Sequence, residues 1–222
     1  YTRAAEYNDV SGFTNTDESA HDIFNIGHTS TSISLASGLA KARDLAGGTE
    51  NIIAIIGDGS MSGGEALEGL NVVGEMSTNC IIVFNDNDQS ISENHGGMYR
   101  KFKELRETNG QAEDNLFRAM GLRYRYVADG NDAEALIRVF AEEKDSTSPV
   151  VIHIHTIKGK GLSFAEDDPE GWHRHAPFHI ATGIAKTEPH PDPYAVATVD
   201  FVLETAKKNP NFVYLSAGIV GG

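Results

Sequence analysis

Apolar residues recur along the chain in two alternating rhythms. Ile33, Leu35, Ala36, Leu39, Ala40 and Leu45 fall near helical spacing and predict a helix over about 31–45. A short apolar run, 51–56, follows and reads as a strand that ends on Gly57-Asp58-Gly59. Ala66, Leu67, Leu70, Val73 and Met76 then predict a helix over 62–76, and Cys80 to Phe84 reads as a second buried strand. A helix over 113–120, a strand over 124–127, and a helix carrying Ala133, Leu136, Ile137, Phe140 and Ala141 at i, i+3, i+4, i+7 and i+8 come next. The run 149–155 is the following strand. Strands that are apolar on both faces and alternate with helices predict an α/β fold, a mostly parallel sheet with helices on both faces.

The stretches between these elements are equally patterned. Residues 1–20 are polar and rich in turn formers, which predicts an arm or loop. Residues 86–112 are polar, glycine-rich and charged, and a loop of that length in a compact domain is usually functional or mobile. Within it, the mixed charges of 101–107 predict a solvated helix face. The chain turns irregular after Thr156, and the prolines at 189, 191 and 193 mark a linker. Beyond it a helix over 194–207 and a strand over 212–216 predict the start of a second, incomplete domain. The expected division is therefore 1–20, 21–188 and 189–222. Because the chain opens on Tyr1 without a methionine and stops just after a strand-like run, it reads as a piece of something longer.

Composition narrows the class of partner. The 222 residues carry 18 Lys and Arg against 32 Asp and Glu, a formal net charge of −14, which disfavours nucleic acid and anionic lipid surfaces. Cys80 is the only cysteine, so no intrachain disulfide forms, and its apolar setting reads as that of a small buried hydrophobe. No apolar run is long enough to cross a bilayer and no basic-then-apolar leader opens the chain, so the expected location is the cytoplasm.

Three polar motifs each follow directly on a predicted strand: Gly57-Asp58-Gly59, Asn85-Asp86-Asn87 and Lys158-Gly159-Lys160-Gly161. In parallel α/β sheets ligands sit at the carboxyl ends of the strands. A carboxylate between glycines lets backbone approach an anionic ligand while the side chain takes a divalent cation, and the amides of Gly59 and Ser60 are available to a phosphate. Asn87 adds a neutral oxygen, so one Asp, one Asn and a carbonyl match the sparse oxygen set that Mg²⁺ prefers. Each motif alone also reads as an ordinary turn, Lys158 as a surface cation and His28 as a helix-start hydrogen-bonding residue. His153 and His155 share a strand face, but no cysteine or third ligand accompanies them, which disfavours zinc.

Asp58 and Asn87, each at a strand end and 29 positions apart, resemble the signature of thiamine diphosphate enzymes. Within these, the sequence is most similar to the 1-deoxy-D-xylulose-5-phosphate synthase family. Gly27-His28-Thr29-Ser30-Thr31-Ser32-Ile33-Ser34 carries one part of the match. A second runs from Ile56-Gly57-Asp58-Gly59 through Gly63-Gly64, Glu68 and Asn71 to Asn85-Asp86-Asn87 and Ser90-Ile91-Ser92-Glu93-Asn94. Lys158-Gly159-Lys160-Gly161, Ala165-Glu166, Asp168-Pro169 and Trp172-His173 complete it, so that the match spans about 21–183. The resemblance implies that Asp58, Asn87 and the carbonyl of Gln89 bind Mg²⁺, and that Gly59, Ser60 and Lys158 hold the diphosphate. It also implies that Gly27 meets the aminopyrimidine, that Ile91 lies under the bent cofactor, and that His28 and His173 face the substrates. The implied enzyme is a transferase that condenses pyruvate with glyceraldehyde 3-phosphate, releasing CO₂, to give 1-deoxy-D-xylulose 5-phosphate for isoprenoid biosynthesis.

The sequence also departs from the family. The segment after Ser90-Ile91-Ser92 is short, Gln89 stands for a usual Met, Ile157 for a frequent Lys and Leu162 for a frequent Tyr, and an upstream family stretch is missing. No glutamate can be assigned to cofactor activation, a role the family gives to its pyrimidine-binding domain. The chain is accordingly expected to supply half a site and to pair as a homodimer or with a pyrimidine-binding domain or subunit. Two alternatives stand beside the carboligase: transketolase-like ketol transfer between sugar phosphates, and a non-catalytic or partner-dependent cofactor-binding subunit.

Overall fold

The computed structural model describes residues 13–20, 22–187 and 192–215. Four strands, β1 (Ile53–Gly57), β2 (Ile81–Asp86), β3 (Arg123–Val127) and β4 (Val150–His155), form one sheet in the order β1-β2-β4-β3, with every pairing parallel. The register sets Gly57 against Asn85 and Asp86 against His155, so the three polar motifs emerge side by side along one edge. That edge is the carboxyl end predicted to hold ligands.

Strand parity assigns the core to two faces. Ala54, Ile56, Ile82, Phe84 and Val151 face one way, under α1 (Ser32–Ala46) and α3 (Gly64–Glu75), which bury Ile33, Ala36, Ala40, Ala66, Leu70 and Val73 against them. Ile81, Val83, Val150, Ile152 and Ile154 face the other way, under Val139 of α6 (Ala133–Glu143). The cover on this second face stops short of β1, where Ile53 and Ile55 stay exposed. Cys80 is fully buried, and burial pushes its thiol up to about 11, as a packing role requires.

Four elements differ from expectation. The predicted 62–76 helix is split into α2 (Asp58–Met61) and α3, so Asp58 opens a helix of its own. The expected long loop contains α4 (Gly97–Glu107), which buries Phe102 and Leu105 despite its charge. Phe102 lies 4.7 Å from Phe84 and 5.9 Å from Phe117, ring centre to ring centre, and this aromatic stack holds the helix to the sheet. The 113–120 helix shrinks to the single turn of α5 (Leu116–Ala119), capped by Asn115. The helix predicted beyond the linker is present as α8 (Pro193–Lys208), but residues 212–215 form no strand. A further short helix, α7 (Ser163–Asp167), interrupts the irregular segment after β4. The first twelve residues of the expected arm, residues 188–191 of the linker, and Ser216 with the rest of the end lie outside the described residues. No helix among the described residues is long and apolar enough to cross a membrane.

Candidate functional site

β1 delivers Asp58 into the interior, where the residue is 3% exposed. Its Oδ1 accepts the Gly59 N–H at 2.8 Å, while Oδ2 is buried and has no partner among the described residues. The amides of Asn87 and Gln89 also lie against this carboxyl. Burial outweighs them, and with a smaller push from the negative Asp86 it raises the Asp58 carboxyl to about 6. A buried acceptor without a donor is costly, and a bound cation would relieve it.

The loop after β2 is wound tightly. The Asn87 Oδ1 accepts the Gln89 N–H at 3.2 Å, Gln89 bridges Glu93, and the Ser90 N–H donates to the Ser92 carbonyl at 3.0 Å. Asp88 takes the left-handed conformation, φ 66°, which turns the chain between Asn87 and Gln89. The Gln89 Oε1 is a second buried acceptor without a partner. This loop closes over α2: a Cβ at Gly59 would sit 2.5 Å from the Ser90 Oγ and 3.3 Å from its Cα. Position 59 therefore admits only glycine unless the loop retreats.

Lys158, beyond β4, is not a solvated cation. Its Nζ donates to the Ser90 carbonyl at 2.6 Å and to the Ile91 carbonyl at 3.4 Å, tying the third strand end to the second loop. Burial holds its ammonium below the ordinary lysine value, opposed by Asp58 and Glu170. Glu170 went unnoticed in the sequence; its Oε1 accepts the Ser92 hydroxyl at 3.0 Å. The structure thus brings together Asp58, Gly59, Asn87, Gln89, Ile91 and Lys158. Gly27, His28 and Ser60 line an adjoining cleft of about 420 Å³ with Phe13 and Gly57. The exposed His28 also contributes to the start of α1, where its carbonyl accepts the Thr31 hydroxyl at 3.2 Å. His173 is exposed in the turn after Glu170, whose carbonyl accepts its N–H at 3.1 Å, and none of its described contacts reaches His28.

A buried polar chain behind the site was missed from the sequence. Asp86, 1% exposed, accepts from Arg106 Nη1 at 2.6 Å and pairs with His153 Nε2 at 2.9 Å. His153 Nδ1 meets the Tyr124 hydroxyl at 2.7 Å. The side chain of Arg106 is 9% exposed, which corrects the solvated reading of 101–107. Its place beside Leu105 and four residues after Phe102, on the apolar face of α4, is the signal that could have found it. His153 is engaged by Asp86 and Tyr124 rather than poised for zinc. Among the described residues no three His, Cys, Asp or Glu side chains gather as a metal nest.

The family profile described as 1-deoxy-D-xylulose-5-phosphate synthase matches residues 2–114 and 106–156. The chain belongs to this family. The two matched stretches overlap at 106–114. The 1-deoxy-D-xylulose-5-phosphate synthase of Clostridium acetobutylicum is 36% identical over 98% of this chain and 40% of its own length. That of Halalkalibacterium halodurans is 36% identical over the whole chain and 41% of its own length. The chain spans about two fifths of the curated relatives it matches. In structure, a transketolase from Leishmania mexicana superposes on 60% of this chain and 20% of its own with a TM-score of 0.46 and 23% identity, too loosely to carry an argument.

The candidate cation set is one carboxylate, one side-chain amide oxygen and one main-chain carbonyl: Asp58, Asn87 and Gln89. All are hard oxygens, two sit on one tight loop, and the partnerless Asp58 Oδ2 is the acceptor that a cation would satisfy, so the residues fit Mg²⁺. The fit to a diphosphate is less complete. The Gly59 amide is already taken by Asp58, whereas Ser60 and Lys158 remain beside the cleft and the loop.

Proposed function

We propose that this chain supplies the cation and diphosphate half of the site of a thiamine diphosphate-dependent transferase. In this reading Asp58, Asn87 and the Gln89 carbonyl hold Mg²⁺, and Gly59, Ser60 and Lys158 hold the diphosphate. Gly27 and Ile91 seat the aminopyrimidine and the bend of the cofactor. His28 and His173 lie toward the substrates, His28 lining the same cleft as Ser60. The observation that carries the reading is the Asp58 carboxyl, buried with one oxygen unpartnered where three parallel strand ends converge. Bound thiamine diphosphate would supply the electron sink for the carbon–carbon chemistry, and the protein's part is to bind, orient and shield it.

Family membership supports the condensation of pyruvate with glyceraldehyde 3-phosphate, with loss of CO₂, to 1-deoxy-D-xylulose 5-phosphate, a cytoplasmic step toward isoprenoids. The remaining half of the site then comes from a pyrimidine-binding domain or from a second subunit, with the chain dividing near residue 188. The exposed Tyr194, Phe201 and Leu203 of α8, a helix with none of its residues buried, favour such a pairing. The full-length gene product with thiamine diphosphate, Mg²⁺, pyruvate and glyceraldehyde 3-phosphate tests the reading. Release of CO₂ together with a five-carbon deoxyketose phosphate is expected. Cofactor binding without CO₂ release would instead indicate ketol transfer or a subunit awaiting its partner.

A further inference from the structure

Arg106 stands outside the candidate site, yet it grips both neighbours of Asn87. Its Nη1 reaches the Asp86 Oδ2 and its Nη2 the Asp88 Oδ1, each at 2.6 Å. A planar guanidinium is the one side chain that can span two carboxylates in a fixed plane; a lysine can hold only a point. The two residues it joins flank the turn that presents Asn87 and Gln89. Asp86 is already fixed from behind by His153 and accepts the Asp88 N–H at 3.1 Å, so Arg106 ties the exposed Asp88 to the buried Asp86. The tie has work to do, because Asp88 is held in a left-handed conformation that a non-glycine residue adopts at a cost. The anchor comes from α4, an element outside the turn that it grips.

We infer that Arg106 is a positioning residue for the cation site, a brace from α4 that bridges Asp86 and Asp88 and so holds Asn87 and Gln89 turned toward Asp58. The inference rests on the cation reading proposed above. Simple electrostatics makes the opposite forecast: deleting a positive charge beside two carboxylates should tighten a divalent cation.

The test is a titration of the full-length protein with Mn²⁺ at saturating thiamine diphosphate, free Mn²⁺ being read by electron paramagnetic resonance. Arg106→Met and Arg106→Lys should both raise the half-saturating Mn²⁺ concentration about tenfold or more, the range seen when a residue that orients a metal ligand is lost. Unchanged or tighter binding in Arg106→Met, or wild-type binding in Arg106→Lys, would overturn the brace. Should Arg106→Met fail to fold, the half-exposed Asp88 carries the test. Asp88→Gly should weaken Mn²⁺ clearly more than Asp88→Asn, which keeps an acceptor for Arg106; equal losses would mean that charge alone matters and would overturn it. Asp58→Asn separates the two readings. If it binds Mn²⁺ like the wild type, the cation site itself is wrong and the brace falls with it. If it loses Mn²⁺ while the Arg106 variants do not, only the brace is wrong.

Discussion

Asp58 and Asp86 occupy matching places, at the ends of adjacent parallel strands, and are 3% and 1% exposed. Their electrostatic fates are opposite. Asp86 is bound by Arg106 and His153, and these partners overcome burial to hold its carboxyl below the ordinary 3.8. Asp58 has only backbone amides about it, its Oδ2 accepts no hydrogen bond among the described residues, and burial lifts it to about 6. Equal burial therefore marks two different jobs. A buried carboxylate with both oxygens engaged belongs to the architecture, while one left with an open oxygen is available to a ligand.

Exchanging each aspartate for asparagine should break the symmetry most visibly. Asp58→Asn should abolish Mg²⁺-dependent binding of thiamine diphosphate in calorimetric titration while leaving the metal-free protein at least as stable. Asp86→Asn should cost about 3 kcal/mol in urea unfolding, because it leaves buried partners uncompensated. A large stability loss at Asp58, or none at Asp86, would collapse the distinction.

Lys158→Ala should weaken thiamine diphosphate roughly tenfold to a hundredfold, the worth of a charge-assisted hydrogen bond, with little effect on thiamine. Equal losses for the two ligands would reduce Lys158 to its observed role of tying down the Ser90 carbonyl. Gly59→Ala should raise the Mg²⁺ requirement several-fold by pushing Ser90 away, since overpacking at such a contact costs about 1–3 kcal/mol. The pH profile of the metal-free protein is the finest test. Asp58, with its raised value, contributes stability that is present below 3.8 and is lost as pH rises through about 6. Asp86, with its lowered value, contributes stability that is present above 3.8 and is lost as pH falls through its own titration. Wild type should therefore lose ground to Asp58→Asn between pH 4 and 6, and parallel unfolding curves over that window would count against the Asp58 assignment.

Much of the site was legible because it depends on short-range patterns. β2 opens on the apolar run Ile81–Phe84 and β4 on Val150–Ile152, as doubly covered parallel strands do, and a polar motif that follows such a strand lies at the carboxyl edge. Arg106 was illegible for the converse reason. In sequence it is one more charge in 101–107, and its burial depends on Asp86, twenty residues earlier and in another element. His153 shows the same limit: parity places it on a sheet face, but only the register that sets it beside Phe84, two residues before Asp86 on the neighbouring strand, brings it to its partner.

The two predicted elements after the linker separate these kinds of information most cleanly. The helix formed as expected, with Asp192 as cap and Pro193 in the first turn, because a helix closes its hydrogen bonds within its own residues. The strand did not form over 212–215, because a strand needs a neighbour, and none is present among the described residues. Periodicity, caps and strand-end motifs are local, so the amino-acid order alone sufficed for α1, α6 and α8, for the parallel class of the sheet and for placing Asp58, Asn87 and Lys158 beyond strand ends. Strand order, the path of α4 and the unequal partnering of two buried aspartates join residues far apart in the chain, and their energies exist only once those residues meet.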